Sequence, residues 1–224
     1  NLIFKLSIVL NGVKKMPSLT FYGGVNEIGG NKILFEAGGT KIFLDFGMSF
    51  KIANQYFAEF LQPRKCTALT DFFDLGLLPD VKGIYRADYL RHIGRPDKEE
   101  RGIDAVLLTH AHADHAQYIH FLRTDIPIYC TKATKIILQA LEETGRNPFS
   151  DLITACDAFT FYTTQRGTLG RVTRKNTEFV HERPFQVMVP GNKVTIGSLE
   201  IEMVPVDHSL PGACGYIIYS DEGN

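Results

Sequence analysis

The sequence predicts an α+β protein with sheets covered by helices, and three observations carry that expectation. Residues 16–47 hold short apolar runs closed by glycines. The middle of the chain interleaves strand-like runs with helical patterns, and from Phe185 onward the pattern returns to strands.

Taken in order, SLTFYGG (Ser18–Gly24), NKILFEAGG (Asn31–Gly39) and TKIFLDFG (Thr40–Gly47) read as an antiparallel meander punctuated by glycine. Met48–Arg101 reads as a long irregular region, helical at Tyr56–Leu61 and loop-rich at Leu77–Gly94. Ile103–Thr109 (IDAVLLT) is a buried strand. Ala116–Arg123 begins a helix, Ile126–Cys130 is the next strand, and Thr131–Arg146 is an amphipathic helix stopped by Gly145. Phe185–Pro190, Lys193–Val206 and Gly215–Ser220 are β again. There is no internal repeat and no low-complexity linker, so residues 16–224 read as one domain.

Residues 1–15 read as an N-terminal extension or leader. Their basic residues sit mainly after the apolar part, the reverse of a secretory signal, and the stretch is too short to span a bilayer. An extra β-strand and a leader both fit. At the other end, SDEGN (Ser220–Asn224) is turn chemistry after a strong strand, expected to begin a hairpin whose return strand lies outside this sequence.

A chain of 224 residues with 44% hydrophobic and 22% charged residues has the composition of an ordinary globular protein. A net charge of −1 provides no global basic field for nucleic acid. One local run, Thr163–Asn176, contains no acidic residue; it could face phosphates or be a solvated loop. Cys66, Cys130, Cys156 and Cys214 form no CxxC, so neutral thiols in a reducing cytosol are expected, with neither a zinc ribbon nor a disulfide framework.

The chemistry concentrates in THAHADH (Thr109–His115). Four of the seven histidines lie between Val106 and His120. His110 and His112 alternate as the backbone leaves a strand, so both rings can converge on one cation. Asp114 and His115, at the turn into a helix, can reach a second. Imidazole and carboxylate together suit Zn²⁺ best, with Mn²⁺ or Fe²⁺ as alternatives. Far downstream, His208 in VPVDHSLPGACGY again follows an apolar strand and can project towards the same pocket; an isolated histidine there could equally be a surface residue. Asp45 ends the strand in LDFG, where its carboxylate can hold a metal-bound histidine or water, or simply serve a turn.

Asp45 in LDFG, then HAHADH, then His208 resembles, in order, the first three signature motifs of the metallo-β-lactamase superfamily. The likeness covers most of Met16–Asn224. GGVNEIGGNKILFE and DHSLPGACGYII are similar more narrowly to the ribonuclease J-like and β-CASP nuclease branch. The resemblance implies an αββα sandwich, incomplete at its C-terminal end in this sequence. It also implies two zinc ions in a complete site, or manganese in their place. His110, His112 and His208 would hold one cation, Asp114 and His115 the other, and Asp114 would orient a bridging hydroxide as nucleophile. A bridging aspartate, a later histidine and the nucleic-acid clamp that the family pattern places further on are not in these residues. The chain therefore reads as the N-terminal part of a longer enzyme, with a weak second metal site and crippled turnover on its own. Glu27 and Gly23, Gly24, Gly29 and Gly30 would form the hairpin beneath the site, the glycines as turn-formers.

On this reading the protein is a metal-dependent phosphodiesterase acting on RNA or single-stranded nucleic acid, cytoplasmic, not bound to a membrane, and from a group in which homodimers are common. The other readings are a small-molecule hydrolase of the same superfamily, opening a thioester, lactone or lactam, and a metal-binding chain without turnover. Met48–Arg101 would form a flap at the mouth of the site carrying Tyr56, Phe57, Phe60, Tyr85 and Tyr89, unless those aromatics only pack.

Overall fold

The computed structural model describes residues 5–6, 16–57, 61–145 and 147–221. Most of the extension at 1–15, Phe60 and the last three residues lie outside them.

Strands β1 (Lys5–Leu6), β2 (Ser18–Phe21), β3 (Ile33–Ala37) and β4 (Thr40–Leu44) pair consecutively and antiparallel. The β3–β4 turn is Gly38–Gly39, both at positive φ (54° and 82°), the two-residue geometry that only glycine adopts without strain. Beyond it come helices α1 (Phe50–Tyr56), α2 (Ala68–Asp74) and α3 (Ala87–His92), then β5 (Ala105–Leu107). A short helix α4 (Ala113–Ala116) runs into a 3₁₀ turn (Gln117–Phe121), followed by β6 (Ile128–Cys130) and α5 (Lys132–Thr144). Thr131 caps α5 by accepting the Thr134 N–H at 3.2 Å.

The remainder is β7 (Thr154–Cys156), β8 (Phe161–Thr163), β9 (Leu169–Arg171), β10 (Val180–Glu182), β11 (Phe185–Val187), β12 (Lys193–Ile196), β13 (Leu199–Pro205) and β14 (Cys214–Tyr219). One sheet has the order β1-β2-β3-β4-β5-β6-β11, its last four strands parallel; a second is the antiparallel β12-β13-β14. β7 pairs with β10, and β8 with β9. The sequence reading placed no strand between the α5 helix and Phe185, because three-residue strands are too short to show a period.

Side-chain alternation explains the layers. Leu34, Phe43, Val106, Ile128 and Cys130 point to one face of the large sheet, into a core shared with Phe72, Tyr89, Phe121 and Leu138 of the helical side. Their neighbours Ala37, Ile42, Ala105 and Leu107 point the other way and meet Leu199, Ile201 and Met203 of the second sheet. Helices, sheet and sheet are thus stacked over two cores. The β12–β13 turn is fixed on the first sheet, where Ser198 donates its N–H to Thr40 Oγ1 at 2.8 Å.

Met48–Arg101 is mainly a helical layer. Its helices begin at Phe50, ahead of the expected Tyr56–Leu61 segment, and include α2 and α3 where loops were expected. Tyr85 and Tyr89 are core residues, and Phe57 packs on that core. Burial of these aromatics overrides the loop-like local composition, and at the histidine-bearing end Met48 N–H donates to Ala113 O at 3.0 Å. All four cysteines are free thiols. No helix among the described residues is long and apolar enough to cross a membrane.

Candidate metal centre

The site forms where the C-terminal ends of β4 and β5 meet the segment after β13. Asp45 follows β4 directly and takes φ +56°, a left-handed conformation uncommon for a residue other than glycine. That turn buries its carboxylate beside β5, where it accepts the Thr109 N–H at 2.8 Å and the Thr109 hydroxyl at 2.9 Å. Asp45 Oδ2 also lies 2.7 Å from His115 Nδ1. Burial works against the charge of the His115 ring, but the hydrogen bond and charge of Asp45, with Asp114, outweigh it and raise its pKa above the ordinary value. Burial raises the Asp45 carboxyl, countered in part by His115 and Thr109.

Thr109 couples this pair to His110, its hydroxyl standing 2.9 Å from His110 Nδ1. With the hydroxyl donating to Asp45 and accepting from Nδ1–H, His110 keeps Nε2 free as a ligand. His110 is buried, and burial, followed by the neighbouring His115, His112 and His208, lowers its pKa to about 4. The ring is therefore neutral, the form a metal requires. His110 Nε2 lies 3.0 Å from His112 Nδ1, and His208 closes the group with its ring centroid 4.6 Å from that of His110. One ring nitrogen from each of His110, His112 and His208 falls within 4.8 Å of the others. Tetrahedral ligands 2.0–2.1 Å from zinc are roughly 3.3 Å apart, so the trio is spaced to close on one divalent cation.

Asp114 and His115 flank this group. His115 Nε2 is 3.5 Å from Asp114 Oδ2, and its ring centroid is 4.1 Å from that of His110. The five sequence-predicted ligands thus lie side by side, His110, His112 and His208 as one group and Asp114 and His115 next to it, with Asp45 behind His115. Three segments knit the floor of the site. Gly47 N–H donates to Asn31 O at 2.9 Å, Phe46 N–H to His115 O at 2.8 Å and Asn31 N–H to Asp114 O at 3.2 Å. A Cβ on Gly47 would fall 1.7 Å from Asp114 O, so this approach requires glycine. Lys32, buried with its pKa lowered to about 8 by desolvation, donates to the carbonyls of Gly30 (3.0 Å) and Gly47 (2.9 Å). Glu27 accepts from Gly24 N–H at 3.1 Å and from the Ser49 hydroxyl, and Gly29 lies so near Asp114 that a Cβ there would fall 2.4 Å from the Asp114 Cβ.

His208 is delivered by a loop tied at both ends. Val206 N–H donates to Ala213 O at 3.1 Å, Cys214 N–H to Thr109 O at 2.9 Å, and the Thr131 hydroxyl to Gly212 O at 2.7 Å. Tyr216 OH donates to Leu108 O at 2.6 Å, stitching the second sheet to the end of β5. Thr109, Asn31, Lys32 and Tyr216 escaped the sequence reading. Only Thr109 had a signal there, its place directly before the first histidine. Beside His112 opens a cavity of about 360 Å³, walled by Ala116, Ile137, Leu138, Leu141 and Leu210.

The family model described as the beta-lactamase superfamily domain matches residues 78–224, well over half of the chain. Ribonuclease J of Mycobacterium tuberculosis is 26% identical over 210 residues, covering 92% of this chain and 26% of the relative. The transcription termination factor FttA of Methanocaldococcus jannaschii is 23% identical over 128 residues, 56% of this chain and 15% of the relative. The chain thus spans about a quarter or less of these curated relatives. A crystal structure of a protein of unknown function from Enterococcus faecalis superposes with a TM-score of 0.64 at 26% identity, over 92% of this chain and 41% of that one. With the layered sheets and the histidine cluster, these matches place the chain in the metallo-β-lactamase superfamily of hydrolases, a family whose fold implies divalent-metal binding, with ribonuclease J-like proteins among its relatives.

Proposed function

We propose that the protein is a metal-dependent phosphodiesterase acting on RNA or another single-stranded nucleic acid. In this reading His110, His112 and His208 hold one divalent cation, zinc by the chemistry of the donors, and Asp114 with His115 contribute to a second. The convergence of the three ring nitrogens carries the reading. The similarity to ribonuclease J supports the choice of substrate.

When bound, such cations lower the pKa of water and offset charge developing on phosphoryl oxygens. The protein's own groups do the rest. Burial keeps His110 neutral and ready to ligate. Asp45 fixes His115 by its Nδ1 and His110 through Thr109, so neither ring must reorganise as substrate arrives. Asp114 sits with its carboxylate beside His115 and orients the attacking water.

A second reading, hydrolysis of a small ester, thioester or lactone, is favoured by the aliphatic cavity beside His112. Incubation of the full-length protein with labelled RNA and with a generic thioester, each with and without chelator, separates the two. The proposal predicts chelator-sensitive RNA cleavage with the thioester intact. Thioester turnover without RNA cleavage would overturn it.

A further inference from the structure

The acid-free run singled out in the sequence forms a projecting arm. β8 and β9 pair antiparallel, with Phe161 opposite Arg171 and Thr163 opposite Leu169. Their tip is the three-residue turn Gln165–Arg166–Gly167, closed by Thr164 N–H to Thr168 O at 2.8 Å, with Gly167 at φ +75°. The root is fixed. Val172 is buried, Phe159 stacks on His92 at 3.8 Å, and Arg174 pairs with Asp151 at 2.8 Å and Glu142 at 3.1 Å. Asp151 lies between Ser150 and Leu152, two residues that line the cavity opening at His112.

What the arm presents is unusual for a solvated loop. Phe161 is 61% exposed and Leu169 is 76% exposed, on the same face as Arg171. From Ala158 to Thr177 there is no acidic residue. Arg174 is consumed by its two carboxylates, but Arg166, Arg171 and Lys175, all exposed, make no ion pair among the described residues. A flat aromatic and an aliphatic residue lie diagonally across the two strands, about 7–8 Å apart, bordered by unpaired guanidinium groups. That arrangement complements a polymer with stackable bases and regularly spaced phosphates.

We infer that the β8–β9 arm is a contact site for single-stranded nucleic acid, with Phe161 and Leu169 supporting bases and Arg166 and Arg171 neutralising phosphates. The inference rests on the nuclease reading for the class of polymer, but concerns binding alone. An acidic protein would have no use for the paired apolar platform, and two apolar side chains are too few to seat a membrane.

The test is fluorescence anisotropy with a labelled single-stranded RNA of about 16 nucleotides over a range of salt. Arg166→Ala with Arg171→Ala is expected to reduce the salt slope of log K by about 1.4, two phosphates at roughly 0.7 each. Phe161→Ala is expected to weaken binding about tenfold with the slope unchanged. Arg171→Lys should retain the slope. Melting temperatures should not move, since these side chains are exposed. Unchanged affinity and slope in both alanine variants would overturn the inference, as would binding to anionic lipid vesicles but not to RNA. In the full-length protein, RNA bound through the arm but never cleaved would sink the nuclease reading and leave the arm standing. Cleavage with arm-independent binding would do the reverse.

Discussion

Asp45 Oδ2 stands 2.7 Å from His115 Nδ1, at the end of a strand whose last turn is left-handed at the aspartate itself. The contact orients His115 Nε2 towards Asp114 and keeps the imidazole more basic than usual. Asp45→Asn retains tolerance of positive φ but removes the charge. It is expected to bring the His115 pKa down and to reduce metal affinity or activity by about 10- to 100-fold. NMR titration of the His115 ring, with metal-binding isotherms, checks both effects.

Thr109→Val tests the link between Asp45 and His110. The isosteric change strips the hydroxyl that serves both, leaving a buried carboxylate short of a donor. A stability loss of about 1–3 kcal/mol is expected, together with weaker cation binding at the three-histidine group. Chemical denaturation of the metal-free variant separates the two consequences.

The two histidine shifts give opposite pH signatures. His110 falls from 6.5 to about 4 in the folded chain. Between those values the unfolded chain binds a proton that the folded chain refuses, so this contribution is complete above pH 6.5 and is lost as pH falls towards 4. His115 is raised above 6.5, so its contribution is present below that value and fades as pH rises through the folded pKa. In metal-free protein, NMR should therefore show His115 titrating above 6.5 and His110 remaining neutral until near 4. As pH is raised from acid, the His110 ring therefore becomes available to a cation before the His115 ring does. Titration in the reverse order would contradict the geometry.

Lys32→Met removes the buried ammonium that joins the Gly30 and Gly47 carbonyls beneath Asp114. Methionine fits the volume but leaves those carbonyls without that donor. A loss of about 1–3 kcal/mol is expected in thermal or urea unfolding, with a smaller effect on the ring pKa values.

The meander and the α5 helix were legible because each carries its period over four or more residues, and the short strand before the histidines because it lies in a longer apolar run, Ile103–Thr109. The residues gathered in the pocket were legible for another reason: histidines and carboxylates clustered at strand ends have few structural uses. Other parts left no local mark. Thr109 and Lys32 matter through partners about 64 and 15 residues away in the chain, contacts that no sequence window holds. The helices within Met48–Arg101 are six or seven residues long, and Phe72 and Tyr89 are committed to the core by tertiary packing rather than by amphipathic spacing, while Phe50 and Tyr56 of α1 stay exposed. The β8–β9 arm showed its charge in the sequence but not its exposed platform.

The central claim is that His110, His112 and His208 hold one divalent cation. Anomalous diffraction at the zinc edge from zinc-soaked crystals tests it most directly. The account predicts a strong peak within about 2.0–2.1 Å of a ring nitrogen of each of the three histidines. A zinc peak that excludes His208, or none among the three rings in well-ordered crystals, would contradict it.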